Sequence, residues 1–213
     1  MKILLLGKNG QVGWELQRSL APLGEVLALD RNSTSHCGDL SNLEGLAETV
    51  RVFRPQVVVN AAAYTAVDKA ESDQTTAHVV NAMAPEVLSR ACAAIDALLV
   101  HYSTDYVFDG RSAQPYTEAD LPAPLSVYGH SKWAGERAVQ ALRARPEVAG
   151  GKTGGKTGGR VGAIGYCMGG MLSVMNAAAH PQGPIRNLVC FTTPVNADGM
   201  SLYKTWVEAE AFD

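Results

Sequence analysis

The amino-acid sequence predicts an α/β protein built on a doubly wound parallel sheet, and three observations support this prediction. Short apolar runs bounded by glycine or polar residues recur along the first half of the chain, as is typical of buried parallel strands. Segments with helical spacing of apolar residues lie between these runs. A glycine-rich turn, Gly7-x-x-Gly10-x-x-Gly13, joins the first run to the first such segment. Strands that alternate with helices imply right-handed crossovers, which place ligands at the carboxyl ends of the strands.

Composition excludes several other classes of protein. The 213 residues are 46% hydrophobic, which is enough for a buried core. The net charge is −3 with both signs interspersed, so neither nucleic acid nor an anionic membrane is expected as a partner. No apolar run reaches the ~18 residues of a membrane span and no cleavage site follows the first strand, so we expect a cytoplasmic protein. The four cysteines form no Cys-x-x-Cys and the five histidines are dispersed, so no disulfide framework and no metal site are expected.

The first strand and the glycine turn predict a dinucleotide site. Lys2 to Leu6 is continuously apolar after its first residue, which indicates a strand buried on both faces. The helix predicted over Trp14 to Ala21 would present free N–H groups to a pyrophosphate. The glycines permit a tight turn and a close approach of backbone to phosphate, and the last one lets the helix pack near the strand. The predicted cofactor contacts in this turn are Gly7, Gly10, Gln11, Val12 and Gly13.

A second strand ends in a carboxylate at the distance expected for recognition of a ribose. The run from Glu25 to Leu29 leads to Asp30, about 20 residues beyond the turn, where a ribose hydroxyl is expected. A carboxylate favours NAD, whereas the guanidinium of Arg31 can accept the 2′-phosphate of NADP, so both cofactors remain open. Asp39 and Leu40 are further candidate cofactor contacts; Asp39 is either a turn residue or a contact to the adenine.

The next elements place small side chains at a third strand end. A helix is predicted over about Asn42 to Phe53, with Ser41 as its N-cap. A strand from Pro55 to Asn60 is followed by three alanines and a tyrosine, whose backbone can line the nicotinamide ribose. A further helix, Thr75 to Ile95, and a fourth strand, Ala97 to Tyr102, complete the pattern. The candidate cofactor contacts here are Ala62, Ala63, Tyr64 and Tyr102.

Tyr128 and Lys132 predict the chemistry. Spaced four residues apart, they lie on one face of a helix, so the ammonium is expected to lower the phenol pKa toward neutrality. Such a phenol can hand a proton to a carbonyl oxygen. Upstream, Tyr102 to Phe108 predicts a strand that ends in hydroxyls. By itself the tyrosine-lysine pair would be an exposed helical pair, but together with the glycine turn it indicates a nicotinamide-dependent carbonyl reductase.

The glycine turn and three longer runs, Asn60 to Glu71, Ser103 to Gly110 and Tyr128 to Glu136, together resemble the dTDP-4-dehydrorhamnose reductase family. This is a family of extended short-chain dehydrogenases/reductases, and the resemblance runs from Met1 to about Glu147. It implies a Rossmann-type domain over residues 1–147 that reduces the 4-keto group of dTDP-4-dehydro-L-rhamnose with NADPH or NADH.

The resemblance also implies roles for individual residues. Tyr128 would be the proton donor, and Lys132 would hold the ribose and depress the phenol pKa. Thr104 would hydrogen-bond the reacting oxygen, and Thr104 with Asp105 would contact the sugar. Tyr128, Lys132 and Tyr102 also count among the cofactor contacts. A magnesium-linked homodimer is implied by the family alone, since no residue pattern in this sequence indicates it.

The resemblance stops after Glu147, where the family would continue with another strand and a substrate-binding lobe. A repeated Lys-Thr-Gly-Gly tract predicts a flexible linker over residues 148–160. Gly150 and Gly155-Lys156-Thr157 match the spacing of a phosphate-binding loop. The strand and helix that such a loop needs are missing, so nucleoside triphosphate binding is not expected.

Residues 161–213 predict a strand-elbow-helix-strand fragment. Arg160 to Gly170 resembles the nucleophile elbow of α/β-hydrolases with Cys167 as nucleophile, and with Asn187 to Val195 it resembles part of a polyhydroxyalkanoate synthase. His180 follows at the far end of the predicted helix, too distant to act as the base. The alternative for Cys167 is a buried structural cysteine. Two family fragments joined by a linker suggest a fusion, unless Val161 to Gly165 adds a strand to the first sheet.

Three functions therefore remain open at this point. The first is a reductase module with cofactor site and proton donor but without the usual substrate lobe. The second is a cysteine-nucleophile acyltransferase fragment. The third is a non-catalytic dinucleotide-binding module, which follows if the missing lobe is indispensable.

Overall fold

The computed structural model describes residues 1–113, 115–117, 120–143, 161–166 and 185–191. The chain divides into two compact units, one of residues 1–109 and 122–156 and the other of residues 110–121 and 157–213. The first unit contains a four-stranded parallel sheet in the order β2-β1-β3-β4, flanked by helices, which confirms the predicted α/β class. Its strands are β1 Lys2–Leu6, β2 Glu25–Leu29, β3 Val57–Asn60 and β4 Leu98–His101.

The helices of the first unit alternate with these strands. They are α1 Gln11–Leu20, α2 Leu43–Phe53, α3 Val67–Ala70, α4 Gln74–His78, α5 Ala84–Ala94 and α6 Val127–Arg143. The described part of the unit also contains two 3-10 turns, Ala21–Leu23 and Asp105–Val107, and one π-helical segment, Val79–Met83. None of the helices that the structure describes is both long and apolar enough to cross a membrane.

Alternation along β1 builds a core on each face of the sheet. Leu4 and Leu6 face one way and join a cluster with side chains of α2 and α5. Ile3 and Leu5 face the other way and pack with Leu16 of α1. All four β1 side chains are at most 1% exposed, as expected for a parallel strand covered by helices on both faces.

One predicted helix start and one predicted N-cap are wrong, and hydrogen bonds explain the difference. The first helix begins at Gln11 because Gly10 already acts as its N-cap, with Trp14 N donating to Gly10 O at 2.8 Å. The second is capped by Asn42 and not by Ser41, since Asn42 Oδ1 accepts from Gly45 N at 2.9 Å. The N–H and hydroxyl of Ser41 instead donate to Asp39 Oδ1 at 2.9 and 2.8 Å.

The single helix predicted over Thr75 to Ile95 is interrupted by the π-helical segment. Pro85 lies four residues after Asn81 and has no N–H to donate to its carbonyl, so the regular helical bond is missing there. A widened turn over Val79–Met83 is the result.

The strand predicted to run through Phe108 is also wrong, because β4 ends at His101. Thr104 Oγ1 accepts a hydrogen bond from Tyr106 N at 3.3 Å, which caps the 3-10 turn that follows. A hydroxyl that bonds the backbone in this way favours a turn over a strand.

In the second unit, Val161–Tyr166 forms β5 and Ile185–Phe191 forms β6, which pair in parallel as a two-stranded sheet. The suggestion that Val161 to Gly165 extends the first sheet is therefore wrong. The linker at 148–160, Cys167, the helix predicted after it and His180 lie outside the described residues. The predicted domain boundaries remain predictions.

Candidate functional site

The loops after β1 and β3 meet where the strand order of the sheet reverses. β1 connects to β2 on one side, whereas β3 lies on its other side, and such a switch point is where open parallel sheets bind ligands. Gly7 has a φ of +89°, and a Cβ at this position would lie 2.8 Å from Ala62 N. Glycine is therefore required here, both for the backbone conformation and for the contact between the two loops.

The glycine turn presents the amino end of α1. Gly10 N donates to Gly7 O at 3.0 Å, and a Cβ on Gly13 would lie 2.0 Å from that same oxygen. The N-cap Gly10 makes no side-chain capping bond, so the first-turn N–H groups of Gln11 and Val12 are left for another acceptor. An uncapped ten-residue helix that follows a glycine turn fits a phosphate group.

Asp30 lies at the end of β2 in a network of donors. Its carboxylate accepts hydrogen bonds from Ser33 Oγ at 2.9 Å and Asn32 N at 3.0 Å, and it also contacts Asn9 Nδ2. The Ser33 hydrogen bond is the main cause that lowers the pKa of Asp30. Lys8 Nζ lies 3.4 Å from Ser33 Oγ, and Arg31 is exposed. One carboxylate and two cations flank this strand end, so the geometry suits a ribose hydroxyl and a 2′-phosphate alike.

Asp39 and Leu40 are less well placed for the predicted adenine contact. The Asp39 carboxylate is engaged by Ser41, which favours its role as a turn residue. The Leu40 side chain is 5% exposed within the core cluster on the α2 side of the sheet. Only the backbone of Leu40 can therefore reach a ligand.

Asn81 was not identified from the sequence, and it organises the loop after β3. Its side chain accepts from Tyr64 N at 2.9 Å and donates to Tyr64 O and Ser131 Oγ, both at 3.0 Å. Ser131 Oγ in turn donates to Tyr128 O at 2.7 Å. Asn81 thus connects the Ala62–Tyr64 loop to α6. An asparagine among apolar neighbours, four residues before a proline, was the signal available in the sequence.

We expect Asn81→Ala to reduce the free energy of unfolding by about 3 kcal/mol, because it leaves the buried backbone N–H and C=O of Tyr64 and the hydroxyl of Ser131 without this hydrogen-bond partner. Denaturant titration of the full chain measures this loss. Asn42→Ala is the matched control, since it removes only the exposed cap of α2 and should cost about 1 kcal/mol. Equal losses in the two variants would contradict the structural role given to Asn81.

The start of α6 is held against the neighbouring elements. Val127 N donates to Glu71 Oε1 at 2.9 Å, and Gly129 N donates to Ser126 Oγ at 3.1 Å, so both carboxylate and hydroxyl satisfy first-turn donors. A Cβ on Gly129 would lie 2.3 Å from Tyr106 O, which explains the glycine next to Tyr128.

Tyr128 lies in the first turn of α6 and is 9% exposed. Its ring packs edge-on against Tyr106 at 5.5 Å between centroids, and its hydroxyl is hydrogen-bonded with Thr104. Burial raises the pKa of Tyr128; the Thr104 bond opposes this, and Asp105 and Tyr106 add to it. The expected lowering of the phenol pKa by Lys132 is thus wrong: burial raises this pKa, and Lys132 is not among the groups that shift it.

Lys132 is directed at the backbone beside the phenol. It is 2% exposed, and its Nζ donates to Tyr102 O at 2.5 Å. Burial lowers the pKa of Lys132 to about 8, while the charge of Glu136 acts in the opposite direction. The ammonium is therefore retained at neutral pH, and α6 is tied to the segment that follows β4.

Asn60 and His101 form a second polar pair that was not identified from the sequence. They are register partners at the ends of β3 and β4, and Asn60 Nδ2 lies 3.2 Å from His101 Nδ1. Burial, helped by the charge of Lys132, lowers the pKa of His101 to about 3, so the imidazole is neutral near pH 7. Two polar residues that end neighbouring apolar strands were the available signal.

The described residues bring together most of the predicted site. Four of its parts lie at the carboxyl ends of the strands of one parallel sheet: the glycine turn, the Ala62–Tyr64 loop, the 102–105 segment and the face of α6 that carries Tyr128 and Lys132. Among these residues there is no group of three or more His, Cys, Asp or Glu side chains that could hold a metal ion.

Comparisons with known proteins give consistent results. A family model described as the RmlD substrate binding domain matches residues 1–149. The dTDP-4-dehydrorhamnose reductase of Escherichia coli K12 is 57% identical over 145 residues, which make up 68% of this chain and 48% of that protein. The chain spans about half the length of the curated relatives that it matches.

Solved structures share the fold. A dTDP-4-dehydrorhamnose reductase from Clostridium acetobutylicum is 41% identical with a TM-score of 0.62, and the match covers 67% of this chain and 50% of that one. MoeE5 in complex with UDP-glucose and NAD is 28% identical with a TM-score of 0.63, covering 78% of this chain and 54% of that one. The matched family model ends at residue 149, just before the first glycine of the Lys-Thr-Gly-Gly tract.

Proposed function

The chain belongs to the RmlD substrate binding domain family, and from this premise we propose that its first unit is a nicotinamide-dependent reductase of a dTDP-keto-sugar. The substrate is dTDP-4-dehydro-L-rhamnose, which becomes dTDP-L-rhamnose. The curated relatives that carry this name support the proposal, although the chain spans only about half their length. The observation that carries it is the hydroxyl of Tyr128, bonded with Thr104 and followed one helical turn later by Lys132.

The site residues fit a dinucleotide. The turn at Gly10 carries no side chain and the first turn of α1 is uncapped, which suits the pyrophosphate. Asp30, with Arg31 and Lys8 nearby, would hold the adenosine ribose of NADH or NADPH. MoeE5, which shares this fold, was crystallised with NAD. When bound, the nicotinamide supplies the hydride that adds to the carbonyl carbon.

The chain supplies the proton and the positioning. Tyr128, whose raised pKa keeps the phenol protonated at neutral pH, would donate its proton to the carbonyl oxygen as the hydride arrives. Thr104 would hydrogen-bond the same oxygen, and Thr104 with Asp105 would contact the sugar. Lys132 would hold the nicotinamide ribose and stabilise the phenolate that remains after transfer. The proton from Tyr128, together with the hydride, would convert the ketone to an alcohol.

Two measurements on the full chain test this function. NADPH fluorescence should change on mixing, and NADPH absorbance should fall when dTDP-4-dehydro-L-rhamnose is added. Binding without consumption would contradict the reductase and favour a non-catalytic dinucleotide-binding module. No binding of NADPH or NADH would contradict both functions.

Other expectations keep a narrower basis. A cytoplasmic location and a homodimer, with or without magnesium, are proposed on the sequence and the family resemblance alone. The polyhydroxyalkanoate synthase resemblance of residues 160–213 rests on the sequence pattern alone. An acyltransferase function with Cys167 as its nucleophile stays an alternative on that pattern only.

A further inference from the structure

Three consecutive residues after β4 contact one face of α6. Lys132 Nζ donates to Tyr102 O at 2.5 Å, Ser103 Oγ donates to Glu136 Oε1, and Thr104 is hydrogen-bonded with Tyr128. Tyr128, Lys132 and Glu136 follow one another at intervals of four, so they form a single stripe on the helix. Tyr128 and Lys132 have proposed roles in the reaction, whereas Glu136 has none.

Glu136 is placed unusually for a helical glutamate. Its residue is only partly exposed, and burial raises the pKa of its carboxyl group, against the Ser103 hydrogen bond and the charge of Lys132. Three other helical glutamates of this unit, Glu15, Glu48 and Glu86, instead pair with arginine on the helix surface, as Glu86 does with Arg90 at 2.5 Å. A partly desolvated carboxylate near a buried lysine can compensate the positive charge of the lysine.

We propose that Glu136 is a positioning residue of the reductase site, whose carboxylate holds the 102–104 segment against α6 and supplies the negative charge that keeps Lys132 an ammonium. The inference rests on the proposed function. Glu136 would not touch cofactor or sugar; it acts through Ser103, which precedes Thr104, and through Lys132 one turn earlier on the helix.

The charge role follows from the burial of Lys132. With Glu136 present the pKa of Lys132 is about 8, so the ammonium loses its proton as the pH rises through that value. Without the carboxylate the burial that lowers this pKa would act unopposed, and the proton would be lost closer to neutrality. A larger fraction of Lys132 would then be uncharged near pH 7.

Within the described part of the chain, Glu136 is the charged group that shifts the pKa of Lys132, and it raises that pKa. His101 on β4 is neutral, as its pKa is about 3. Asp105 and Tyr106 raise the pKa of Tyr128. The other titratable groups on elements packed against α6 are Asp68 and Lys69 on α3, His78 on α4, and Glu86, Arg90 and Cys92 on α5.

Two variants of the full chain separate charge from hydrogen bonding. Glu136→Gln keeps the shape and an acceptor for Ser103 but removes the charge, and Ser103→Ala keeps the charge but removes the hydrogen bond. The pKa of Lys132 is measured by NMR titration of ¹³C-labelled lysine, with the signal assigned by its absence in Lys132→Arg. Glu86→Gln is the matched control, because it removes a carboxylate from an exposed pair with Arg90.

Glu136→Gln should lower the titration midpoint of Lys132 by about one pH unit, and the alkaline limb of turnover should move with it. Ser103→Ala should leave both midpoints in place but raise KM for the keto-sugar more than it lowers kcat, because Thr104 is less well held. Glu86→Gln should change neither. Thermal unfolding of each variant reports whether the fold is kept.

An unchanged Lys132 midpoint in folded Glu136→Gln would overturn the inference, as would an equal shift in Ser103→Ala. The NMR midpoint needs no turnover, so the two proposals fail separately. If the wild-type chain does not reduce the keto-sugar, the proposed function is contradicted. The titration still tests separately whether Glu136 keeps Lys132 protonated.

Discussion

Replacing Tyr128 with phenylalanine should lower kcat for the keto-sugar by about 10²- to 10⁴-fold, the usual contribution of a positioned general acid. The phenylalanine ring can keep the edge-on contact with Tyr106, so the fold and NADPH affinity should be nearly unchanged. What is lost is the hydroxyl bonded with Thr104 and the proton that it would donate. Steady-state kinetics and an NADPH fluorescence titration measure the two effects separately.

Tyr106→Phe is the control for this prediction. Tyr106 is 49% exposed and its ring packs on Tyr128, so the variant removes a neighbouring hydroxyl and leaves the ring contact. Its kcat should stay within a few-fold of the parent protein. If Tyr128→Phe also stayed within that range, another group would have to deliver the proton, and the assignment of Tyr128 would be wrong.

Gly13→Ala should abolish detectable NADPH binding and lower the free energy of unfolding by about 1–3 kcal/mol, the usual cost of overpacking. The added methyl carbon would lie 2.0 Å from Gly7 O and 2.7 Å from Gly7 C, which are backbone atoms that cannot turn aside. The glycine turn must therefore open, and the amino end of α1 would move away from the pyrophosphate position. Denaturant titration and NADPH fluorescence report the two losses.

Gly10→Ala separates binding from stability. A Cβ there would have Gly7 O, at 3.4 Å, as its one neighbour within 4 Å, so the folded chain should tolerate it. The methyl group would occupy space at the N-cap of α1, where the cofactor backbone is expected, and NADPH affinity should fall several-fold. Parent-like affinity in this variant would show that the pyrophosphate does not approach Gly10.

Local patterns were sufficient for the elements of the sheet. The runs from Lys2 to Leu6 and from Glu25 to Leu29 are strands as predicted. The first is buried on both faces and needs its unbroken apolar run, whereas the second lies at the sheet edge and is only partly buried. The glycine turn was predictable for a similar reason. Its residues are close in sequence, and steric requirements act within the turn itself or against the next strand.

The helix caps and the site network were less predictable. Asn42 and Ser41 are both good N-caps, and the choice between them depended on Asp39, which engages Ser41. The Asn81–Ser131 bond spans 50 residues and the Ser103–Glu136 bond spans 33. No local pattern encodes such pairs, because they form only when separate elements pack together.

The sequence by itself determined the α/β class, the parallel strands, the glycine turn and the spacing of Tyr128 and Lys132, all of which depend on neighbours along the chain. Only the tertiary structure decided how those two groups are charged. Burial beneath α6 removes water from the phenol and the ammonium, and it raises the pKa of Tyr128 and lowers that of Lys132. Desolvation depends on every element that covers a side chain, so a four-residue spacing could not reveal it.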